Sequence, residues 1–205
     1  MSRAPASSRA ETSKARRDAV LRATSDVLDE VGVGALTIRQ VAERAGVSPG
    51  TIFLYAASKS DLVMQVFGQR ISDAWHRLLD ELSDEPPLER VEQFYLSCVD
   101  MFYADFDNVR AFYREMAAKS APEHEGVARL LKRLRDALAE AREIGQIRAD
   151  VDVKVLAVGY EGAYSMVIPL ADRGIEQAEN KRILAGCLEL LRYGVVARVQ
   201  HGPRS

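Results

Sequence analysis

The sequence predicts an all-α fold in which a small N-terminal helix-turn-helix module precedes a larger helical body, and three observations carry the prediction. Almost every apolar run from about residue 14 onward repeats at helical spacing rather than alternating. No Asn-Gly or Asp-Gly hairpin signal occurs. Two segments with cap chemistry, at Thr37 and Ser48, flank a glycine.

Taken in order, residues 1–12 offer nothing to bury and are expected to form a flexible basic arm. The first helix places Val20, Ala23, Val27, Leu28 and Val31 on one face and ends at Gly32 and Gly34. Thr37-Ile38-Arg39-Gln40 has the form of a capping box and opens a second helix, whose apolar stripe is Ile38, Val41, Ala42 and Ala45. Gly46 can take positive φ, Ser48 is a good N-cap, and Pro49 suits the first helical position, so a third helix of about two turns is expected to end near Tyr55. Ser58-Lys59-Ser60-Asp61 opens a long fourth helix through Leu62, Phe67, Trp75 and Leu82. Later helices are expected over 88–105, 109–119, 123–143, 153–171 and 175–199, with breaks at Pro86-Pro87, Asp105 to Asn108, Ala121-Pro122, Gly145-Gln146 and Arg173-Gly174.

Overall charge excludes little: 205 residues carry 47% hydrophobic side chains and a formal net charge of -2. Its distribution is more informative. Residues 1–60 hold nine Lys and Arg against six Asp and Glu, a net of +3, which leaves -5 on the remainder. A basic N-terminal third on an acidic body fits a chain whose one end meets phosphates, and it also fits ordinary solvated faces. Arg3, Arg9, Lys14, Arg16 and Arg17 could follow a DNA backbone or enter a minor groove; for the first two a solvated tail is an equal alternative. Cys98 and Cys187 sit apart in apolar surroundings, as expected of two buried thiols in a reducing compartment. No stretch approaches the roughly 20 apolar residues that span a bilayer, so a cytoplasmic protein without membrane contact is expected.

Residues 37–55 therefore read as two short helices about a tight glycine turn, the second too sparsely apolar to be an ordinary core helix. In such a unit one helix crosses the DNA backbone and the next enters the major groove. Thr37 and Ser48 begin helices whose free amides suit phosphate, and Lys59 adds a cation. Each residue also has a structural reading, since Thr37 and Ser48 would cap helices in any helical protein and Ile52 suits a core.

The run Thr37-Ile38-Arg39-Gln40-Val41-Ala42-Glu43-Arg44-Ala45-Gly46-Val47-Ser48-Pro49-Gly50-Thr51-Ile52-Phe53, followed by Ser58-Lys59-Ser60-Asp61-Leu62, resembles the tetracycline-repressor (TetR) family. The likeness extends over about fifty residues, Arg16 to Phe67. It implies double-stranded operator DNA as partner. Thr37, Ser48, Thr51 and Lys59 would meet phosphates, and Gly50, Phe53, Leu54 and Tyr55 would lie at or near the groove. The family commonly has Tyr at Phe53 and an aromatic ring at Ala56. Phe53 has no hydroxyl for phosphate, and specificity is expected to lean on Arg39, Tyr55 and DNA shape.

The resemblance also implies the domain layout: an arm at 1–12, a helix-turn-helix domain at 13–60 with its motif at about 36–55, and a ligand-binding and dimerisation domain at 61–205. Symmetric operators require dimers. The last two helices are the expected interface, since small residues beside Gly162, Leu188, Leu191, Tyr193 and Val195 permit close approach. A pocket for a small, largely apolar effector is expected among Tyr95, Cys98, Phe102, Phe112, Met116, Tyr160 and Tyr164, residues that could equally fill a core. Effector binding would release DNA by changing the spacing of the recognition helices, with the fourth helix as lever.

Catalysis has no support: His76, His124 and His201 are scattered, and no His-Glu-x-x-His, Cys-x-x-Cys, phosphate loop or nucleophile elbow is present. No catalytic residue, metal ligand or cofactor site is expected. The alternative from another class is a helical dimerisation or adaptor protein that keeps the motif without specific DNA binding.

Overall fold

The computed structural model describes the backbone of residues 6–117 and 125–195, with side chains over 11–115 and 125–195. The side chains of Arg3, Arg9 and Met116, the expected break at Ala121-Pro122, and residues 196–199 of the expected last helix lie outside the described residues. Every element among the described residues is helical. They form two compact units, one of residues 6–72 with 105–117 and the other of residues 73–104 with 125–195.

In the first unit, α1 (Ala6–Ala35) buries Val20, Ala23, Val27 and Leu28, the spacing of one helical face. It begins at Ala6, so most of the expected arm is helical instead; Ala, Arg and Glu are strong helix formers and dominate residues 9–16. Val31 is exposed rather than core. The helix breaks one residue later, at Gly32, where φ is 76° and ψ 171°. Only glycine adopts that conformation readily, and a Cβ there would lie 2.6 Å from Asn108 Oδ1. That oxygen accepts the Val33 amide at 2.8 Å and so ties the end of α1 to α7 (Phe106–Ala117).

The capping box forms as expected before α2 (Ile38–Ala45): Thr37 Oγ1 accepts the Gln40 amide, and Gln40 Oε1 accepts the Thr37 amide. Gly46 closes the helix in the left-handed region at φ 66°, and the Val47 amide donates to the Ala42 carbonyl at 3.0 Å. The third helix, α3 (Pro49–Ile52), is a single turn of four residues, not two turns. Beyond it the chain tightens, with Leu54 donating to the Thr51 carbonyl and Tyr55 to that of Ile52. Burial of Ile52 and Ala56 on the same side draws this segment into the core. Full burial of a side chain such as Ile52 contributes about 1.5–3 kcal/mol.

Ser58 caps α4 (Lys59–Val63) by accepting the Asp61 amide, and the helix passes through a π-helical turn, Met64–Gly68, into α5 (Gln69–Glu81). The π turn buries three consecutive residues, Val66, Phe67 and Gly68. Phe67 meets Phe112 of α7 with ring centroids 5.5 Å apart. Here the structure departs from the expected boundary at residue 60. Phe112 and Asn108 bind α7 to the N-terminal helices, and the division falls between Ser72 and Asp73.

The second unit is built on α6 (Pro87–Ala104), which buries Leu88, Val91, Phe94, Tyr95, Cys98, Val99 and Phe102 against α8 (Glu125–Glu143) and α11 (Gln177–Val195). The helix expected over 153–171 is two, α9 (Val153–Ser165) and α10 (Val167–Asp172). Pro169 explains the break, since it lacks an amide for the Ser165 carbonyl and its ring crowds that turn. Asn180 is buried and donates to the Val167 carbonyl and to Tyr103 Oη, which in turn donates to the Ile175 carbonyl; α6, α10 and α11 are thereby joined.

Candidate nucleic-acid interface

In α2 and α3 the residues that face inward are apolar and the residues left outside are those expected at DNA. Thr37, Arg39, Ser48, Gly50, Phe53 and Leu54 are exposed, Thr51, Tyr55 and Lys59 are half-buried, and Val41, Ala42, Ile52 and Ala56 are buried. The third helix is held by its cap: Ser48 Oγ accepts the Thr51 amide at 3.2 Å and lies 2.9 Å from Thr51 Oγ1. Leu54 and Phe53 are the most prominent side chains, at 76% and 53% exposure. Ala56 does not join them, because it lies in the core. Tyr55 packs partly on that same core, and its carbonyl accepts the Gln65 side-chain amide at 3.0 Å. Phe53 and Leu54 therefore project farther from this core than Tyr55 does.

The cations divide by partner. Arg39 is almost fully exposed and pairs with Glu43 one turn on, at 2.8 Å, an interaction that raises its affinity for the proton and is weak against solvent. Arg44 instead grips Glu30 of α1 at 2.6 Å and fixes α2 on α1. Lys59, expected at phosphate, has partners within the chain: Nζ donates to the Gly34 carbonyl at 3.1 Å and lies 3.3 Å from Glu115. Glu115 also accepts from Ser60 Oγ at 2.7 Å. Glu115, Glu30 and Asn108 were invisible to sequence reasoning, since each meets a partner 14 or more residues away.

In the second unit, Tyr95, Cys98 and Phe102 share one buried face of α6. Tyr95 stacks on Tyr160 at 6.0 Å and meets Tyr164 at 5.6 Å. Burial pushes the Cys98 thiol and the Tyr95 and Tyr160 hydroxyls upward, so all three stay protonated. Phe112 does not belong to this group, since it closes the core of the first unit. Tyr160 Oη donates to Glu92 at 3.1 Å, and Arg192 bridges Glu92 and Glu89. Burial raises the Glu92 carboxyl above its ordinary range, and Arg192 opposes this only in part.

The expected interface residues separate. Gly162 and Tyr193 are exposed, but Leu188 is buried and belongs to the core, because that face of α11 packs on α6 and α9. Leu191 also packs inward, near enough to Gly159 that a Cβ there would stand 3.2 Å from Cδ2. Val195 is half-buried, and its carbonyl accepts the Arg148 amide. On α9 and α11 the large apolar side chains left outside are Val155 and Val158, with Met166 just past the end of α9, and Leu190 and Tyr193. Cys187 lies on that exposed face too, contrary to the expectation of a buried thiol. Spacing alone identifies the α9 stripe, as Val155, Val158, Gly162 and Met166 recur every three to four residues.

Among the described residues no three His, Cys, Asp or Glu side chains are placed to share a metal ion, and no helix is long and apolar enough to cross a membrane.

A capped two-helix unit with an exposed third-helix turn defines a helix-turn-helix domain. Residues 20–66 match the model of the bacterial regulatory proteins of the tetR family. It is 36% identical over 80 residues to the HTH-type transcriptional regulator BetI of Serratia proteamaculans (strain 568), a stretch that spans 38% of this chain and 40% of the relative. A solved structure on the molecular basis for control of antibiotic production by bacterial hormones is similar at 25% identity and a TM-score of 0.63, over 88% of this chain and 97% of the other. The transcriptional regulator FadR from Bacillus subtilis, solved in complex with stearoyl-CoA, shares the fold at 20% identity and a TM-score of 0.62, over 86% and 97%.

Proposed function

We propose that this protein is a cytoplasmic transcriptional repressor that binds a palindromic operator as a homodimer and is released by a small, largely apolar effector. One observation carries the reading. The chain from Ser48 to Leu54 is fixed by a cap and by Ile52 while its remaining side chains stand outside, the arrangement that places side chains on base edges. The role is binding, with no catalytic step.

On this reading Thr37, Ser48 and Thr51 meet phosphates and Arg39 lies beside the backbone. The partner copy covers Val155, Val158, Gly162 and Met166 together with Leu190 and Tyr193, since faces of that kind are costly to leave in water. The effector enters the aromatic group of Tyr95, Tyr160 and Tyr164, beside Phe102 on the same buried face of α6, where half-buried Glu92 and Arg192 supply polar anchors. FadR from Bacillus subtilis, solved in complex with stearoyl-CoA, shares this fold. Release requires that the effector bind the non-operator state more tightly, and its effect is bounded by that difference.

Retention of genomic fragments across a salt series tests the proposal. Sequence-selective retention with a steep negative salt slope supports it, and loss of all retention at low salt refutes it. The adaptor reading is favoured by a single observation, the engagement of Lys59 by Glu115, which removes one cation from the DNA side.

A further inference from the structure

The recognition turn has an unusual chemistry for a surface that meets base edges. Gly50 has no side chain, the Thr51 hydroxyl is engaged with Ser48 Oγ, and Ala56 and part of Tyr55 are turned onto the core. What remains projecting from the turn is Phe53 and Leu54, both apolar and both exposed. In the major groove every base edge offers hydrogen-bonding groups, and the single apolar feature is the C5 methyl of thymine. A leucine or phenylalanine set against a guanine or cytosine edge leaves those groups desolvated and unpaired. Against a thymine methyl the same side chain gains contact and loses nothing.

We infer that each operator half-site is read chiefly through thymine methyl groups, which pack against Leu54 and Phe53. This deepens the proposed function and rests on it. The family match covers the turn, so the DNA that meets these two side chains is the operator half-site itself.

The full-length chain is used to enrich a duplex from a random-sequence library. The enriched duplex is then synthesised with uracil for thymine at each half-site position in turn, which deletes the methyl and keeps the pairing. At a contacted position, loss of one buried methyl weakens binding about fourfold, and about fifteenfold when both half-sites are changed. Leu54→Ala or Phe53→Ala removes the partner, so the corresponding variant binds the thymine and uracil duplexes equally. Both side chains are exposed, and far-UV circular dichroism checks that the variants keep the fold. Equal binding of both duplexes by the unaltered protein overturns the inference and leaves DNA binding intact. A uracil penalty that persists in both variants also overturns it. Failure to enrich any duplex overturns the DNA-binding proposal, and this inference with it.

Discussion

Gly32→Ala tests whether the end of α1 is held by the clamp described above. Two penalties arise at one position. A residue with a side chain at φ 76°, ψ 171° carries roughly 1–3 kcal/mol of backbone strain. The new Cβ, 2.6 Å from Asn108 Oδ1, also expels that side chain and leaves the Val33 amide unpaired, a further ~1–3 kcal/mol. The single variant should therefore lose ~2–6 kcal/mol. Asn108→Ala alone loses the hydrogen bond, ~1–3 kcal/mol. The double variant should be no worse than Gly32→Ala, because the bond is already lost there and the clash is gone. Thermal unfolding by circular dichroism, compared at fixed protein concentration, measures all three, with each 1 kcal/mol worth about 2–4 °C for a chain of this size. A Gly32→Ala midpoint within 1 °C of the parent refutes the strain argument. Strict additivity in the double variant refutes the shared hydrogen bond.

Three further outcomes follow from the packing. Leu188→Ala should cost ~2–5 kcal/mol of stability as a core truncation, while Leu190→Asp and Tyr193→Asp keep the fold and shift sedimentation from dimer to monomer; the reverse pattern contradicts the assignment of faces on α11. Glu115→Gln frees Lys59 from its carboxylate and should steepen the salt dependence of DNA binding by about one phosphate contact, and an unchanged slope shows that Lys59 stays away from the backbone. Glu92 titrates above its ordinary 4.5, mainly through burial, so its contribution to stability is full below pH 4.5 and is lost as pH climbs through the raised value. Glu92→Gln should abolish that decline in the unfolding midpoint, whereas identical pH profiles in the two proteins contradict it.

The parts of the fold that were legible are those decided within a few residues of chain. Thr37 and Gln40 satisfy one another across three positions, Gly46 takes the left-handed turn, and Ser48 caps its own helix. Ile52 was recognisable as core by type. Pro169 was equally local and was passed over, so α9 and α10 were read as one helix. Long-range partners were not legible. Nothing near Gly32 points to Asn108, and nothing near Lys59 points to Glu115, because those contacts exist only once α7 lies beside α1 and α4. The same limit explains Phe112, an aromatic residue of suitable type for an effector pocket whose ring is instead spent on Phe67. On α11, Leu188 and Leu190 have equal claim to an interface by composition; packing against α6 and α9 turns one inward and leaves the other outside.

At the recognition turn, residue type and structure carry different parts of the reading. Phe53, Leu54, Tyr55 and Ala56 follow one another in the sequence, and residue type does not say which of them face outward. The shortened third helix divides them, with Phe53 and Leu54 outward, Ala56 buried and Tyr55 between.

Binding of a symmetric operator through the turn at Ser48 to Leu54 is measured by titrating one enriched duplex with the purified protein over a salt series, with stoichiometry read in the same experiment. Two chains per palindromic duplex and an affinity that falls steeply as salt rises are expected. Binding that is insensitive to sequence and to salt, or no binding at low salt, would contradict operator binding.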